Sequence, residues 1–293
     1  MIITGSIVAL VTPMKEDGAI DEASLERLVE WHIDSGTAAI VAVGTTGESA
    51  TLNVDEHCQT IDRVVSYSSG RIPVIAGTGA NATAEAIELT RAASKVGATA
   101  CLLVTPYYNR PTQRGLYAHF ESVAKAVDCP QILYNVPSRT AVDMSNDIVL
   151  ELASIDNIVG IKDATGDVDR GSALLSKIPK DFAVYSGDDA TASDLILAGG
   201  HGNISVTANV IPEEMARLVD SALAGDVEHC NRLNQEISGL NKALFQEANP
   251  IPIKWVLAQM GIIPPGIRLP LTILDVEFQQ PLRNELKKFG IFI

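Results

Sequence analysis

The chain has 293 residues, 46% of them hydrophobic and 20% charged, which is typical of a globular protein and allows one large domain or two small ones. Its 22 basic and 36 acidic residues give a net charge of −14, and such a surface repels phosphate backbones and anionic membranes, so nucleic-acid and membrane binding are disfavoured. Four scattered cysteines, no basic leader and no bilayer-length apolar run favour a reduced, cytoplasmic location without a disulfide framework or structural zinc.

Short apolar segments alternate with amphipathic segments from the start of the chain. Residues 6–13 predict a strand, 24–35 a helix and 38–45 the next strand. Asn53 begins another helix, with acidic residues in its first turn. Further strands are predicted to begin near residues 73, 98, 131, 158, 182 and 202, and helices to lie near 83–96, 115–127, 145–154, 168–178, 190–198 and 211–224.

The alternation amounts to strand–helix units whose strands are almost wholly apolar, as expected when both faces of a sheet are buried. Eight such units within residues 1–226 predict an α/β fold, a (β/α)8 TIM barrel that would form the catalytic domain. A doubly wound open sheet is the alternative, disfavoured because no Gly-x-Gly-x-x-Gly follows the first strand. Residues 227–293 have no strand pattern and are broken by prolines, and they predict a C-terminal helical region packed on the barrel.

Active sites of such barrels lie at the carboxyl ends of the strands. The second predicted strand is followed by Gly44, Thr45, Thr46 and Gly47, where two hydroxyls and exposed backbone N–H groups could hold a carboxylate. A glycine-flanked turn whose hydroxyls cap the next helix explains the same residues as well.

Aromatic and cationic side chains follow the fourth and fifth predicted strands. The fourth ends in Tyr107 and Tyr108, and the fifth ends at Tyr134 with Arg139 five residues later. Arginine suits bidentate binding of a carboxylate. Taken alone, however, Arg139 favours a surface ion pair, and one tyrosine of the adjacent pair could simply pack in the core.

Lys162 carries the sharpest signal, since it lies inside the apolar sixth strand. A buried lysine is costly unless it is paired or used, and a low dielectric lowers its pKa and frees the amine as a nucleophile. That is the requirement for a Schiff base with a ketone or aldehyde. The alternatives are snorkelling at the strand end and an ion pair with Asp163. These residues together favour a class I (Schiff-base) aldolase or lyase that handles a keto acid.

Metal and triad chemistry have weaker support. Asp188 and Asp189 follow the seventh strand and could bind Mg²⁺, but no other carboxylate or histidine cluster joins them, so no metal site is predicted and their role stays open. No Ser–His–Asp triad is expected, because four histidines lie on helices or their edges and His201 precedes a strand at the opposite end of the barrel. Four histidines lie on predicted helices or their edges and are expected at the surface: His32, His57, His119 and His229.

Several separated motifs resemble, in order and spacing, the dihydrodipicolinate synthase family over nearly the whole chain. The motifs are residues 44–49, 73–79, 134–140, 160–166, 249–254 and 269–270. The resemblance implies a lyase that condenses pyruvate with L-aspartate 4-semialdehyde, the first committed step toward diaminopimelate and lysine. It implies no metal and no organic cofactor.

The resemblance also assigns roles to individual residues. Lys162 matches the Schiff-base lysine, Tyr134 the tyrosine that relays protons, and Thr45 the link in a relay between Tyr134 and Tyr108. In the family, the residue at the Tyr108 position is lent across a dimer interface. The positions that match substrate contacts are Thr46 for the pyruvate carboxylate, Arg139 for the carboxylate of the aldehyde, and Gly187 and Ile204 through their backbones.

The family resemblance further implies a homotetramer made of two dimers, with an L-lysine feedback site at the dimer interface of lysine-inhibited members. The positions that match this site are Ser49, Ala50, His57, Asn81, Glu85 and Tyr107. Val54 stands where some strongly inhibited members carry a histidine, so lysine is expected to bind, but more weakly. Asp163 stands where many members carry a glutamate, a mild departure.

Other pyruvate-dependent aldolases on the same barrel share the lysine and the tyrosine, among them N-acetylneuraminate lyases and keto-deoxy-sugar-acid aldolases. Arg139 in its Tyr-Asn-Val-Pro-Ser-Arg setting, together with Tyr108, fits an amino-acid aldehyde better. A barrel that only binds a keto acid for regulation would be expected to lack Lys162 or Tyr134, and both are present.

Overall fold

The computed structural model describes residues 2–293. Its eight strands are β1 (Gly5–Ala9), β2 (Ala39–Ala42), β3 (Val74–Gly77), β4 (Ala100–Val104), β5 (Gln131–Asn135), β6 (Ile158–Asp163), β7 (Ala183–Ser186) and β8 (Gly202–Ser205). They pair in parallel and in chain order, and β1 also pairs with β8, which closes the sheet into a barrel. The prediction of a TIM barrel is confirmed.

Helices connect the strands and cover the outside of the barrel. They are α1 (Glu22–Asp34), α2 (Val54–Ser68), α3 (Thr83–Lys95), α4 (Gln113–Ala126), α5 (Pro137–Thr140), α6 (Asn146–Leu152), α7 (Val168–Leu175), α8 (Ala192–Leu197), α9 (Pro212–Leu223), α10 (Val227–Ala243), α11 (Ile251–Gln259) and α12 (Val276–Leu286). Within residues 2–293, none of the helices has the length and apolar character needed to cross a bilayer.

Two apolar layers account for the strand composition. Alternate strand residues, such as Ile7 and Ile75, fill the inside of the barrel, while their neighbours pack outward against helix residues such as Leu28 and Phe120. All four side chains are fully buried. Because both faces of the sheet are covered, the strands have no polar alternation.

The C-terminal helices add a further layer on one side of the barrel. Helix α10 packs against α8, α9 and α12, and α11 contacts the short 3-10 turn Thr207–Asn209 that follows β8. The connection between α10 and α11 returns to the carboxyl ends of the strands, where it contributes Phe245 and Asn249.

Two local features differ from the sequence-based expectation. The first strand is shorter than the predicted 6–13. The Leu10 N–H still donates to the Val41 carbonyl of β2, but the Val11 N–H donates instead to Asn209 Oδ1 (3.1 Å). The short helix α5, with proline in its first turn, was not predicted, because four residues are too few to show a helical period. It carries Arg139 at the barrel mouth.

The expectation of surface histidines is wrong for three of the four. His32, His57 and His119 are buried, because each lies on the apolar face of its helix, and only His229 is exposed. His57 Nε2 donates to the Gly77 carbonyl (2.7 Å), and the other two contact threonine hydroxyls at 3.0 Å. Burial lowers the pKa of His32 to about 3 and that of His119 to about 4.

These buried imidazoles predict a loss of stability in mild acid. Below pH 6.5 the unfolded chain binds protons that the folded chain cannot, so the free energy of unfolding should fall by about 1.4 kcal/mol per histidine and pH unit. Denaturant titrations at pH 7.5 and 5.0 measure this fall, which His119→Asn should reduce. His229→Asn, at the exposed site, is the control; an equal effect of both variants would contradict the assignment.

Candidate active site

A cavity of about 200 Å³ opens at the carboxyl ends of the strands, and we call it the strand-end cavity. Its position agrees with the general placement of active sites in TIM barrels. Six of the eight residues predicted to be catalytic or substrate-binding line it: Thr45, Thr46, Tyr134, Arg139, Lys162 and Gly187. The fold therefore brings together side chains from four strand ends that are far apart in the sequence.

Lys162 lies in the wall of this cavity and is only 5% exposed. Burial lowers the pKa of its amine to about 8; the charge of Asp189 opposes this shift and that of Arg139 adds to it. The alternative of an ion pair with Asp163 is wrong, because that carboxylate faces away and lies 3.7 Å from Arg170 Nε. Near physiological pH a far larger fraction of the Lys162 amine is therefore neutral than in an ordinary lysine.

Tyr134 lies beside Lys162 because the two residues are register partners on β5 and β6. The Lys162 Nζ atom is 4.4 Å from the centre of the Tyr134 ring. Burial raises the pKa of the Tyr134 phenol, and the charge of Arg139 and a hydrogen bond with Thr45 oppose the rise. The phenol therefore stays protonated near neutral pH and can pass a proton between Thr45 and a group bound at Lys162.

The loop after β2 forms a second wall of the cavity. Thr46 is buried, and its Oγ1 accepts a hydrogen bond from Asn249 Nδ2 (2.9 Å). Two residues on, Glu48 has a left-handed backbone (φ 58°), and its buried carboxylate pairs with the Lys254 amine of α11. Thr12 Oγ1 also donates to the Gly47 carbonyl (2.7 Å). The loop is thus held by contacts with the segment after β1 and with helix α11 of the C-terminal region.

Of the three remaining residues predicted to contact substrate, two line the strand-end cavity and one does not. Arg139 lies at the mouth and donates to the Asn249 carbonyl (3.3 Å). Gly187 packs on the lysine, since a Cβ there would lie 2.7 Å from Lys162 Cε. Ile204 is buried inside the barrel and does not line the cavity with its side chain.

The two aspartates after β7 are used by the protein itself. Asp189 is buried and accepts hydrogen bonds from Asn203 Nδ2 and from the backbone N–H groups of Val206 and Thr207. Asp188 accepts from Thr191 and lines the strand-end cavity. Among residues 2–293, no group of three or more His, Cys, Asp or Glu side chains is arranged to hold a metal ion.

Tyr108 is the one predicted catalytic residue that the fold does not bring to the strand-end cavity of its own chain. It is 90% exposed on the loop after β4, with a left-handed backbone (φ 71°). An aromatic side chain held out in this way lies where it can contact another molecule.

A second cavity, of about 250 Å³, lies next to the first, and the two share Thr45 and Arg139. Five of the six positions expected to bind lysine line it: Ser49, Ala50, His57, Glu85 and Tyr107. Asn81 does not line it, and its carbonyl accepts from Asn109 Nδ2 (2.8 Å). Val54 lines this second cavity and is 46% exposed.

Two residues of the C-terminal region also line the strand-end cavity, and neither of them has a role assigned from the sequence. Phe245 and Asn249 lie in the connection between α10 and α11, more than 80 residues beyond Lys162. The motif at residues 249–254 includes Asn249 without giving it a role, and no sequence signal marks Phe245. Nothing in local patterning indicates that a segment after the last strand returns to the barrel mouth.

Comparisons with known proteins place nearly the whole chain beside one family. A sequence model of the dihydrodipicolinate synthetase family matches residues 2–289. A protein of Thioalkalivibrio sulfidiphilus named 4-hydroxy-tetrahydrodipicolinate synthase is 62% identical over 287 residues, which are 98% of each chain. One of Pseudomonas aeruginosa with the same name is 57% identical over 289 residues, which are 99% of each chain.

Solved structures extend the comparison. The chloride-inhibited dihydrodipicolinate synthase of Acinetobacter baumannii, complexed with pyruvate, superposes with a TM-score of 0.98 at 58% identity, covering 99% of this chain and 100% of the other. The enzyme of Cyanidioschyzon merolae with lysine bound has a TM-score of 0.95 at 39% identity, covering 98% of each chain.

The lowered pKa of Lys162 predicts its reactivity. Reductive alkylation by a small aldehyde and cyanoborohydride, mapped by mass spectrometry, should reach half its maximal rate at Lys162 near pH 8. In the denatured chain, alkylation of the same residue should reach half its maximal rate at about pH 10.4. Arg139→Gln should move the midpoint upward, because the charge of Arg139 lowers this pKa. A midpoint in the folded chain as high as in the denatured one would contradict the burial effect.

Proposed function

The chain belongs to the dihydrodipicolinate synthetase family, and we propose that in the cytoplasm it condenses pyruvate with L-aspartate 4-semialdehyde to give 4-hydroxy-tetrahydrodipicolinate. It is a lyase of lysine and diaminopimelate biosynthesis. The observation that carries this proposal is the buried Lys162 amine, whose pKa is lowered to about 8, beside Tyr134 in the strand-end cavity. The names of the relatives support this synthase and not a sugar-acid aldolase.

The first step is imine formation. The neutral Lys162 Nζ attacks the ketone carbon of pyruvate, and water leaves as the C=N bond forms. Thr46, with the hydroxyl it presents to the cavity, holds the carboxylate of pyruvate. Tyr134 supplies the proton that the departing oxygen needs and receives it back through Thr45. General acid–base help of this kind contributes about 10²–10⁴-fold to a rate.

The second step forms the carbon–carbon bond. The imine draws electrons from the methyl group of pyruvate, which loses a proton and becomes the carbon of an enamine. That carbon attacks the aldehyde carbon of the second substrate, whose carboxylate pairs with Arg139 at the mouth. The C=O π bond breaks, and the aldehyde oxygen takes up, through Tyr134 and Thr45, the proton that the methyl group lost and becomes a hydroxyl. The amine of the adduct then attacks the imine carbon, which closes the ring and releases Lys162.

Product analysis tests this function. The purified chain is incubated with pyruvate and either aspartate semialdehyde or N-acetylmannosamine, and products are followed by mass spectrometry. We expect condensation with aspartate semialdehyde alone, and its loss in Lys162→Ala, because no other lysine among residues 2–293 lines the cavity. Lys162→Arg, which keeps the positive charge but cannot form an imine, should be as inactive. Turnover of the sugar would refute the proposed substrate and keep the lysine chemistry.

We further propose that the active assembly is at least a dimer, in which Tyr108 completes the relay of a neighbouring copy, and that two dimers form a homotetramer. The exposure of Tyr108 supports this, since a phenol used for proton transfer is not left in bulk solvent. One structural neighbour, 40% identical, is described as a monomeric variant of the synthase, so assembly varies among relatives.

Replacement of the Tyr108 hydroxyl checks the shared relay. Tyr108→Phe should slow turnover by about 10²-fold, within the range of general acid–base catalysis, and leave the subunit folded. Steady-state kinetics together with circular dichroism measure both effects. Tyr117→Phe removes a hydroxyl from the surface of α4, where it contacts only Glu121, and is the matched control. Wild-type turnover in Tyr108→Phe would refute the relay.

For the second cavity we propose L-lysine as the ligand and feedback inhibition as the effect. The cavity supports this because Glu85 offers a carboxylate for an ammonium group, and Thr45 and Arg139 belong to both cavities. A ligand there can therefore shift the residues that relay protons and bind the aldehyde. Val54 places an aliphatic side chain at the rim of this cavity, where it cannot make the hydrogen bond to lysine that a histidine at this position could make.

A lysine titration tests this site. We expect partial inhibition at millimolar lysine, and inhibition at lower concentration for Val54→His, which adds a hydrogen-bonding group to the cavity rim. Glu85→Gln should abolish the effect of lysine, because the ammonium loses its carboxylate partner. Steady-state rates over a lysine series provide the measurement. Full activity of the wild-type chain at millimolar lysine would overturn this assignment.

A further inference from the structure

Asn249 connects the C-terminal region to the pyruvate side of the strand-end cavity. Its Nδ2 donates to Thr46 Oγ1 at 2.9 Å across 203 residues of sequence, and both side chains are buried. Resting on the proposed function, we propose that Asn249 is a positioning residue that aims the hydroxyl proton of Thr46 into the cavity, toward the carboxylate of pyruvate.

The direction of the proton follows from the bonding capacity of a hydroxyl. A threonine hydroxyl has one proton to donate and two lone pairs. The Asn249 amide occupies one lone pair of Thr46 Oγ1, so the proton must point elsewhere. In the part of the chain described, no protein acceptor takes that proton, and Thr46 lines the cavity. The proton is therefore left for a bound anion.

The loop that carries Thr46 does not depend on Asn249 for its position. Thr12 Oγ1 holds the Gly47 carbonyl, and the buried Glu48 pairs with Lys254 and accepts from Arg268 N–H (3.3 Å). These contacts all survive a change of the Asn249 side chain. Loss of that side chain should thus disturb the Thr46 hydroxyl and leave the loop in place.

The aldehyde side of the cavity is held by a different atom of the same residue. Arg139 Nη2 donates to the backbone carbonyl of Asn249 and not to its side chain. A substitution at position 249 therefore keeps the acceptor for Arg139. A substitution at position 249 should therefore change the KM for pyruvate and not that for the aldehyde, because only the pyruvate contact depends on the Asn249 side-chain amide.

Steady-state kinetics with both substrates test the inference. We expect Asn249→Ala to raise the KM for pyruvate about tenfold, the effect of weakening one hydrogen bond to a charged group, and to leave the KM for aspartate semialdehyde unchanged. In a Thr46→Val background the same change should have no further effect, since the hydroxyl is gone. Additive effects of the two substitutions, or an equal rise for both substrates, would overturn the proposal.

Asn249→Asp gives a second, nearly isosteric variant, which decides the question if Asn249→Ala does not fold. A carboxylate accepts the Thr46 proton and draws it out of the cavity, so the KM for pyruvate should rise more than in the alanine variant. Asn157→Ala is the matched control, because Asn157 Nδ2 donates to two carbonyls remote from the cavity, those of Ala124 and Val127. It should change neither KM.

Borohydride trapping of pyruvate on Lys162 separates this inference from the proposed function. Trapping needs no aldehyde, so the pyruvate concentration for half-maximal trapping reports pyruvate binding without any contribution from the second substrate. If the wild-type chain traps pyruvate but condenses no aldehyde, the proposed function fails and the Asn249 effect is still measured. If it traps no pyruvate, both are overturned. Equal half-maximal concentrations in wild type and Asn249→Ala would refute the positioning role.

Discussion

The chemistry of this protein depends on the cost of burying one charge. Lys162 lies where an apolar strand reaches the barrel mouth, and the loss of hydration lowers the pKa of its amine to about 8. Two neighbouring charges act in opposite directions: that of Asp189 raises the pKa of Lys162, and that of Arg139 lowers it further. A closed barrel provides such a site because its strands end together and side chains from several strands converge there.

The C-terminal region takes part in the site and is not only a cover. Asn249 contacts both Thr46 and Arg139, and Lys254 neutralises the buried Glu48 of the loop after β2. A buried carboxylate without its partner would be strongly destabilising, so the loop and α11 must form together. The same segment thus joins the stability of the fold to the geometry of the strand-end cavity.

Much of the fold followed from the sequence, because its signals are local. Apolar strands spaced by amphipathic helices predicted the barrel, and a lysine within one of those strands predicted the Schiff-base site. The surface placement of His32, His57 and His119 was wrong, since helical spacing alone does not tell how deeply a face is buried. The register of Tyr134 with Lys162 could not be predicted, because it depends on strand pairing.

The sequence by itself determined the barrel, its chemistry-bearing lysine and the order of the motifs, because hydrophobic period and residue type act over a few neighbours. Only the tertiary structure decided which carboxylate lies near the amine, and it is Asp189 and not the adjacent Asp163. It alone placed Asn249 against Thr46 and left Tyr108 in solvent. These contacts depend on how distant segments pack, and no local pattern encodes a distance between residues 200 positions apart.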